Sequence, residues 1–175
     1  MAFTEYFQLT CPSTREAGSM QADFLPQPGV YNGGLLFIPD QFTSSQVLAG
    51  WQPLLGDAIA LAITAFGDIF FWSPRFEAIF FLESQKGAST FVARDTNFLF
   101  DNFLIIPDVR ENVLRESIVM RLIDNLGALD ANECFIAEPM PVLGGDGSIN
   151  SYSRCSLLVH SSLVAMVVLD SLRRG

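Results

Sequence analysis

Short apolar runs alternate with turn residues along this chain, and the densest apolar stretch covers residues 58–81. Within it, residues 69–72 and 78–82 are rich in aromatic and branched side chains, which suit a pleated sheet. They flank a Ser-Pro dipeptide that cannot continue a strand ladder, so the pattern predicts a β-hairpin. Because successive residues in both runs are apolar, we expect both faces of the sheet to be covered.

Further strands are predicted on either side of this hairpin. Residues 35–38 and 89–93 are short β-type runs, and residues 57–64 are apolar throughout. Periodicity alone leaves 57–64 open between strand and helix, but the Gly67-Asp68 turn that follows favours a strand. Sequential strands joined by tight turns predict an antiparallel meander.

Helical spacing begins beyond Asp95. Thr96 can cap a short helix to residue 104, and Asp108 with Glu111 forms a capping-box pattern that predicts a helix to residue 126. Residues 43–45 predict the cap of a short helix that ends near Trp51, and residues 155–172 predict a strand and a closing helix. Residues 1–33 predict an irregular lead, because residues 11–32 are rich in Pro, Gly, Ser and Gln, although the apolar residues between Phe3 and Leu9 could form a short strand or helix over a sheet edge.

These patterns predict an α+β protein in which an antiparallel β-sheet, a meander, packs against helices. A chain of 175 residues suits one domain, here spanning residues 1–175. Half of the residues are apolar and 16 are Phe, which is more than a small monomer needs. A buried partner surface is therefore expected, and a homo-oligomer is one form that it could take.

The acidic balance narrows the class of partner. The formal net charge is −9, whereas phosphate binding depends on Lys and Arg, so direct nucleic-acid binding is disfavoured. An acidic surface suits a basic protein partner, although net charge also simply favours solubility.

The location of the protein is predicted from what its sequence lacks. The N-terminal residues do not have a basic region followed by a long apolar core, so we expect no secretory signal. No apolar run approaches the ~20 residues that cross a bilayer, so no membrane association is expected. Cys11, Cys134 and Cys155 form no CxxC pair, which predicts buried free thiols in a reducing cytoplasm and no zinc site.

Candidate chemistry is sparse. Gly144, Gly145 and Asp146 lie in a Gly-rich run that could cradle a phosphate, but it matches neither a P-loop nor a dinucleotide fingerprint. His160 is the single histidine, and no G-x-S-x-G elbow accompanies it. We therefore predict no catalytic residues, no cofactor and no metal, hence no enzyme. The alternative is a small-molecule-binding or hydrolytic domain that uses the Gly-rich loop and His160.

Two further sets of side chains are candidates for contact with a partner. Trp72 and Phe76 are expected at a turn, where exposed aromatic rings could anchor a protein interface. The carboxylates are scattered, and the simplest interpretation is one solvated acidic face. That face consists of Asp57, Asp68, Glu77, Glu83, Asp95, Asp101 and Asp108.

Two passages carry a family resemblance. One is TAFGDIFFW at residues 64–72, followed by AIFFL at 78–82. The other runs from Glu133-Cys134-Phe135 to the Leu-Gly-Gly at residues 143–145, followed by Asn150 and the apolar tail around His160. Over residues 57–170 the chain resembles the C-terminal domain of GAD-like immunity proteins, which act against type VI secretion DNase effectors in bacteria. The resemblance implies a non-enzymatic cytoplasmic protein that neutralises a cognate toxin by binding it.

Overall fold

The computed structural model describes residues 2–13, 25–140 and 143–174. The strands are β1 Leu9–Pro12, β2 Gly29–Tyr31, β3 Leu36–Ile38, β4 Ile59–Thr64, β5 Ile69–Ser73, β6 Ala78–Glu83, β7 Ala88–Ala93, β8 Glu133–Ala137 and β9 Tyr152–Ser156. The α-helices are α1 Phe3–Tyr6, α2 Gln41–Leu48, α3 Gln52–Leu55, α4 Thr96–Phe98, α5 Pro107–Asn112, α6 Glu116–Leu126 and α7 Leu157–Arg174.

Strands β1 to β7 form one antiparallel sheet in sequence order, which confirms the predicted meander and the α+β class. The predicted hairpin is also confirmed, with Phe71 opposite Phe80 in the β5–β6 pair. Strands β8 and β9 form a separate two-stranded hairpin. None of the described helices is long and apolar enough to cross a membrane.

Helices cover both faces of the large sheet, as the two-sided apolar runs predict. On β5, Phe70 belongs to one core and its neighbour Phe71 belongs to the other, because successive strand residues point to opposite faces. The first core is closed by α1, a π-helical turn at Leu99–Phe103, and α6. The second core is closed by α2 and α7, with Trp51 fully buried between them and the sheet.

The predicted lead at residues 1–33 is not irregular where the structure describes it. It contains α1, β1 and β2, and residues 14–24 lie outside the described part. Phe3 stacks on Phe7 with ring centroids 4.6 Å apart, and both rings are buried in the first core beside Tyr31. These aromatic anchors, together with backbone pairing of β1 to β2, order a segment whose composition favours a loop.

The helix predicted from Asp108 to Leu126 is two helices. Pro107 occupies the first turn of α5 without a side-chain cap, a position where Pro is favoured, so the proposed capping box is wrong. The break follows at Arg115, which is left-handed with φ of 56°. The helix predicted from residues 43–45 begins earlier as well, because the Asp40 carboxylate accepts a hydrogen bond from the Thr43 N–H at 2.7 Å.

Candidate interaction site

The five candidate residues lie on two separate surfaces. Trp72 and Phe76 are at the end of β5 and in the turn that leads to β6. Gly144, Gly145 and Asp146 lie in the loop between β8 and β9. The two groups therefore define two different surfaces, each with its own chemistry.

The β8–β9 hairpin is attached to the turn between β4 and β5. The Phe135 N–H donates to the Ala65 carbonyl at 2.7 Å, and the rings of Phe66 and Tyr152 meet edge to face at 5.6 Å. Phe76 lies in the turn at the opposite end of β5. The strand between them keeps the hairpin and Phe76 apart.

The Gly-rich loop is a tightly folded turn. The N–H groups of Leu143 and Gly145 both donate to the Met140 carbonyl, at 2.8 and 3.1 Å. A Cβ added at Gly145 would lie 1.8 Å from the Pro139 carbonyl oxygen, so this close approach of two backbone segments requires glycine.

This geometry leaves little for a phosphate to bind. The loop N–H groups of Leu143 and Gly145 already have internal acceptors, and the Ser148 N–H donates to the Asp146 carboxylate at 2.9 Å. The Asp146 carboxylate itself thus takes the place of an external anion at the Ser148 N–H. What the loop does present is the exposed side chain of Leu143, with 59% of its surface accessible.

Carboxylates occur along the whole β8–β9 hairpin that carries this loop, with Glu133 at the end opposite the loop and Glu138 beside it. Residues 128–156 contain one cation, Arg154, and four anions, which are Asp130, Glu133, Glu138 and Asp146. We call residues 130–156 the acidic hairpin. Arg154 is engaged by Asp130 at 3.4 Å and by Glu133, whereas Glu138 and Asp146 are exposed and form no ion pair among the described residues.

Neighbouring groups stabilise the ionised form of the Glu133 carboxyl. Partial burial raises the pKa of its carboxyl, but the Asp130 N–H and the Arg154 guanidinium outweigh burial and hold the pKa below its ordinary value. The lowered pKa keeps the Glu133 carboxylate charged at neutral pH. The surface of the acidic hairpin combines carboxylates with an exposed apolar tip at Leu143.

The second surface is aromatic. Phe76 is 58% exposed and Phe91 is 54% exposed, and each ring meets Phe80 edge to face, at 5.8 and 6.1 Å between centroids. We call these three residues the aromatic edge. The exposure expected for Phe76 is found, whereas Trp72 is half-buried against the first core.

A groove of about 600 Å³ adjoins Phe76. It runs between residues 52–57, which include α3, and residues 73–76 of the β5–β6 turn. The Arg75 guanidinium lies 5.1 Å from the Phe76 ring. Sequence reasoning missed this groove, because residues 52–57 and 73–76 are apart in sequence and are brought together only when the sheet forms.

His160 is buried and serves packing. Its side chain is only 3% exposed, and Nε2 has no hydrogen-bond partner among the described residues. The ring fills the space over Gly67, where a Cβ would lie 2.9 Å from the imidazole Cδ2 and where φ is +82°. A substrate cannot reach this ring from solvent. The hydrolytic alternative relies on His160 and remains a prediction, but this histidine is not accessible.

At pH values below about 6.5, the free energy of unfolding is expected to decrease because of His160. Burial lowers the pKa of its imidazole, against the raising effect of a hydrogen bond with the Phe66 backbone. The unfolded chain then binds the proton first, at its ordinary pKa of about 6.5, so protonation favours unfolding. Urea midpoints at pH 7.5 and 5.5 measure this loss.

The control is His160→Gln, which removes the titration. The variant should lose less stability than the parent between pH 7.5 and 5.5, whatever its absolute midpoint. Equal losses in the two proteins would contradict the assignment.

One carboxylate of the predicted solvated face is buried instead. The Asp68 side chain accepts hydrogen bonds from the backbone N–H and hydroxyl of Ser84, both at 2.9 Å. Its other oxygen pairs with Arg115 at 3.3 Å, and the Arg115 guanidinium lies 3.7 Å from the Phe66 ring. Neither partner of Asp68 could be read from the sequence, since they come from a turn and a helix break far along the chain.

The cysteines are free, as predicted, but only Cys134 is buried, while Cys11 and Cys155 are half-buried. Within residues 2–13, 25–140 and 143–174, no group of three or more His, Cys, Asp or Glu side chains is placed to hold a metal ion.

The fold and its surfaces define a class: an α+β domain with a seven-stranded antiparallel meander between two helical layers. No family model and no curated protein matches the chain. Among solved structures, it is similar to the crystal structure of Atu4351 from Agrobacterium tumefaciens, with a TM-score of 0.60 and 18% sequence identity. The match covers 93% of this chain and 86% of that one. At this identity the likeness concerns the fold alone.

Proposed function

We propose that this protein is a non-enzymatic cytoplasmic binding protein that neutralises a basic toxic protein by covering it. The observation that carries the proposal is the acidic hairpin, in which exposed Glu138 and Asp146 flank an exposed apolar tip at Leu143. Carboxylates around an apolar anchor suit a basic protein surface, since the charges guide the encounter and the anchor supplies contact area.

The resemblance to type VI immunity proteins supports the same function. The acidic hairpin lies within residues 57–170, the span of that resemblance. The cognate toxin is then a secreted effector, and a DNase is the class that the resemblance indicates. A nuclease must present cations to bind phosphates, so an acidic protein that covers those cations would block its substrate.

The test is protection of cells. The protein is co-expressed with the toxin encoded beside its gene, and growth is measured. Glu138→Lys with Asp146→Lys is expected to weaken toxin binding about tenfold or more, since two favourable contacts become repulsive. Protection should fall accordingly.

A matched control separates contact from net charge. Asp57→Lys with Asp124→Lys makes the same change in total charge at two exposed positions outside the acidic hairpin. This control should keep protection close to that of the parent. If the parent protein protects against no neighbouring toxin, the proposed function is wrong; if both double variants lose protection equally, the acidic hairpin is not the contact surface.

A further inference from the structure

Strand β7 is an open edge of the seven-stranded sheet. In the described part of the chain it pairs with β6 alone. Residues 88–91 are all exposed, although successive residues of a strand point to opposite faces. The outward backbone N–H and C=O groups of β7 are therefore able to pair with another strand.

This edge lacks the usual protection against pairing. Exposed edge strands in natural proteins commonly carry charged residues or Pro, or are twisted away by a bulge. Residues 88–93 contain no charged residue and no Pro. A shift of register between Phe80 and Ile79 places a bulge at Val92, but residues 88–91 pair regularly with β6.

The aromatic edge adjoins β7 on one face of the sheet. Phe91 belongs to β7 itself, and its ring contacts Phe80 of β6, which stacks in turn on buried Phe71. Aromatic rings contribute large contact areas at interfaces. An occupant of the open edge would meet both unpaired backbone and exposed rings.

The charge around this edge departs from that of the whole protein. Residues 72–95 contain three cations and three anions, which are Arg75, Lys86, Arg94, Glu77, Glu83 and Asp95. The region is therefore neutral, although the chain carries −9. A neutral surface gives a basic partner little electrostatic attraction, whereas two identical acidic proteins repel each other least when they meet through such a region.

We propose that β7 pairs antiparallel with β7 of a second copy about a two-fold axis, so that the sheet continues through a homodimer. A two-fold contact uses the same patch on both copies, and this patch is self-complementary. Antiparallel pairing brings the end of β7 beside Glu83 and Lys86 next to the other copy's end beside Arg94 and Asp95, so each of the ends that meet carries one cation and one anion.

A second copy thereby covers both the unpaired backbone of β7 and the exposed aromatic rings. A two-fold axis perpendicular to the sheet keeps like faces together, so the rings of Phe80 and Phe91 from both copies lie on one face. Cross-strand aromatic pairs on one face of a sheet stabilise the pairing. The acidic hairpin is formed by other strands and remains available to its own partner.

The experiment measures the mass of the full chain by sedimentation and by light scattering at concentrations from 1 to ~100 μM, a range in which micromolar dimers dissociate. The parent protein is expected to have the mass of two chains. Thr90→Pro removes a backbone donor from β7 and Phe91→Lys places like charges across the axis, and both variants should have the mass of one chain. Far-UV circular dichroism checks that they fold.

Phe42→Lys is the matched control, because Phe42 on α2 is 51% exposed and lies on a different element. This control should remain a dimer. A parent protein of one-chain mass at ~100 μM would overturn the proposal. So would dimers that persist in both β7 variants, or dissociation by Phe42→Lys that equals dissociation by Phe91→Lys. Cell protection is scored separately, and the monomeric variants are expected to retain it.

Discussion

Replacing Trp51 with alanine is expected to lower the free energy of unfolding by about 3–5 kcal/mol. The Trp51 side chain has no exposed surface and fills the second core between the sheet and α7. Its indole N–H donates to the Ser161 hydroxyl at 3.1 Å, and that hydroxyl donates to the Val47 carbonyl at 2.8 Å. Alanine leaves a cavity and removes the hydrogen bond from the indole N–H to the Ser161 hydroxyl.

Urea unfolding followed by far-UV circular dichroism measures the change. Trp51→Phe is the control, since it keeps most of the buried apolar volume and loses the hydrogen bond, at a cost of about 1–2 kcal/mol. A loss below about 1 kcal/mol for Trp51→Ala would show that the second core does not depend on this ring.

Replacing Arg115 with methionine is expected to cost about 2–3 kcal/mol at pH 7, because it leaves the buried Asp68 carboxylate without its cation. The cost is placed below that of a fully buried pair, since the Arg115 side chain is 36% exposed and solvent screens the contact. Methionine keeps the aliphatic stem over Phe66. The left-handed backbone at residue 115 is equally unfavourable for both side chains, so this term cancels.

Acid should reduce this cost. Burial already raises the pKa of Asp68, against the lowering effects of Arg115 and Ser84, and losing Arg115 raises the pKa further. The folded variant then binds a proton at higher pH than the unfolded chain does, so its stability relative to the parent recovers as pH falls. Urea midpoints at pH 7.5 and pH 5 test the recovery.

Two further variants identify the pair as the cause. Arg121→Met changes an exposed arginine of α6 and should alter stability by no more than about 0.5 kcal/mol. Asp68→Asn keeps an acceptor for Ser84 and removes the charge, so Arg115→Met should cost less in that background. An undiminished cost there would contradict the ion-pair argument.

The candidate surfaces show how far sequence reasoning extends. Phe76 follows a Ser-Pro turn, and local turn chemistry was enough to predict its exposure. Phe91 has the same exposure, but its β-type run looks like an internal strand. The predicted meander places this run last, but only the structure shows that β7 pairs with β6 alone among the described residues.

The acidic hairpin could likewise be predicted from the sequence only in part. The Gly-rich loop was recognised from its glycines, because glycine marks tight backbone geometry wherever it occurs. No sequence signal pointed to Asp130, Glu138 and Arg154, since they are far apart in sequence and carry no motif. Pairing of β8 with β9 places Arg154 beside Asp130 and Glu133 at one end of the hairpin and leaves Glu138 beside the loop at the other end.

The sequence was sufficient to predict strands β3 to β7, the β5–β6 hairpin and the two-sided sheet, because apolar period and turn residues act locally. It also determined the acidic balance. Tertiary structure alone decided the burial of Asp68, the helix break at Arg115, the enclosure of His160 and the open edge at β7. Each of these depends on residues distant in the chain, whose contacts outweigh local preference.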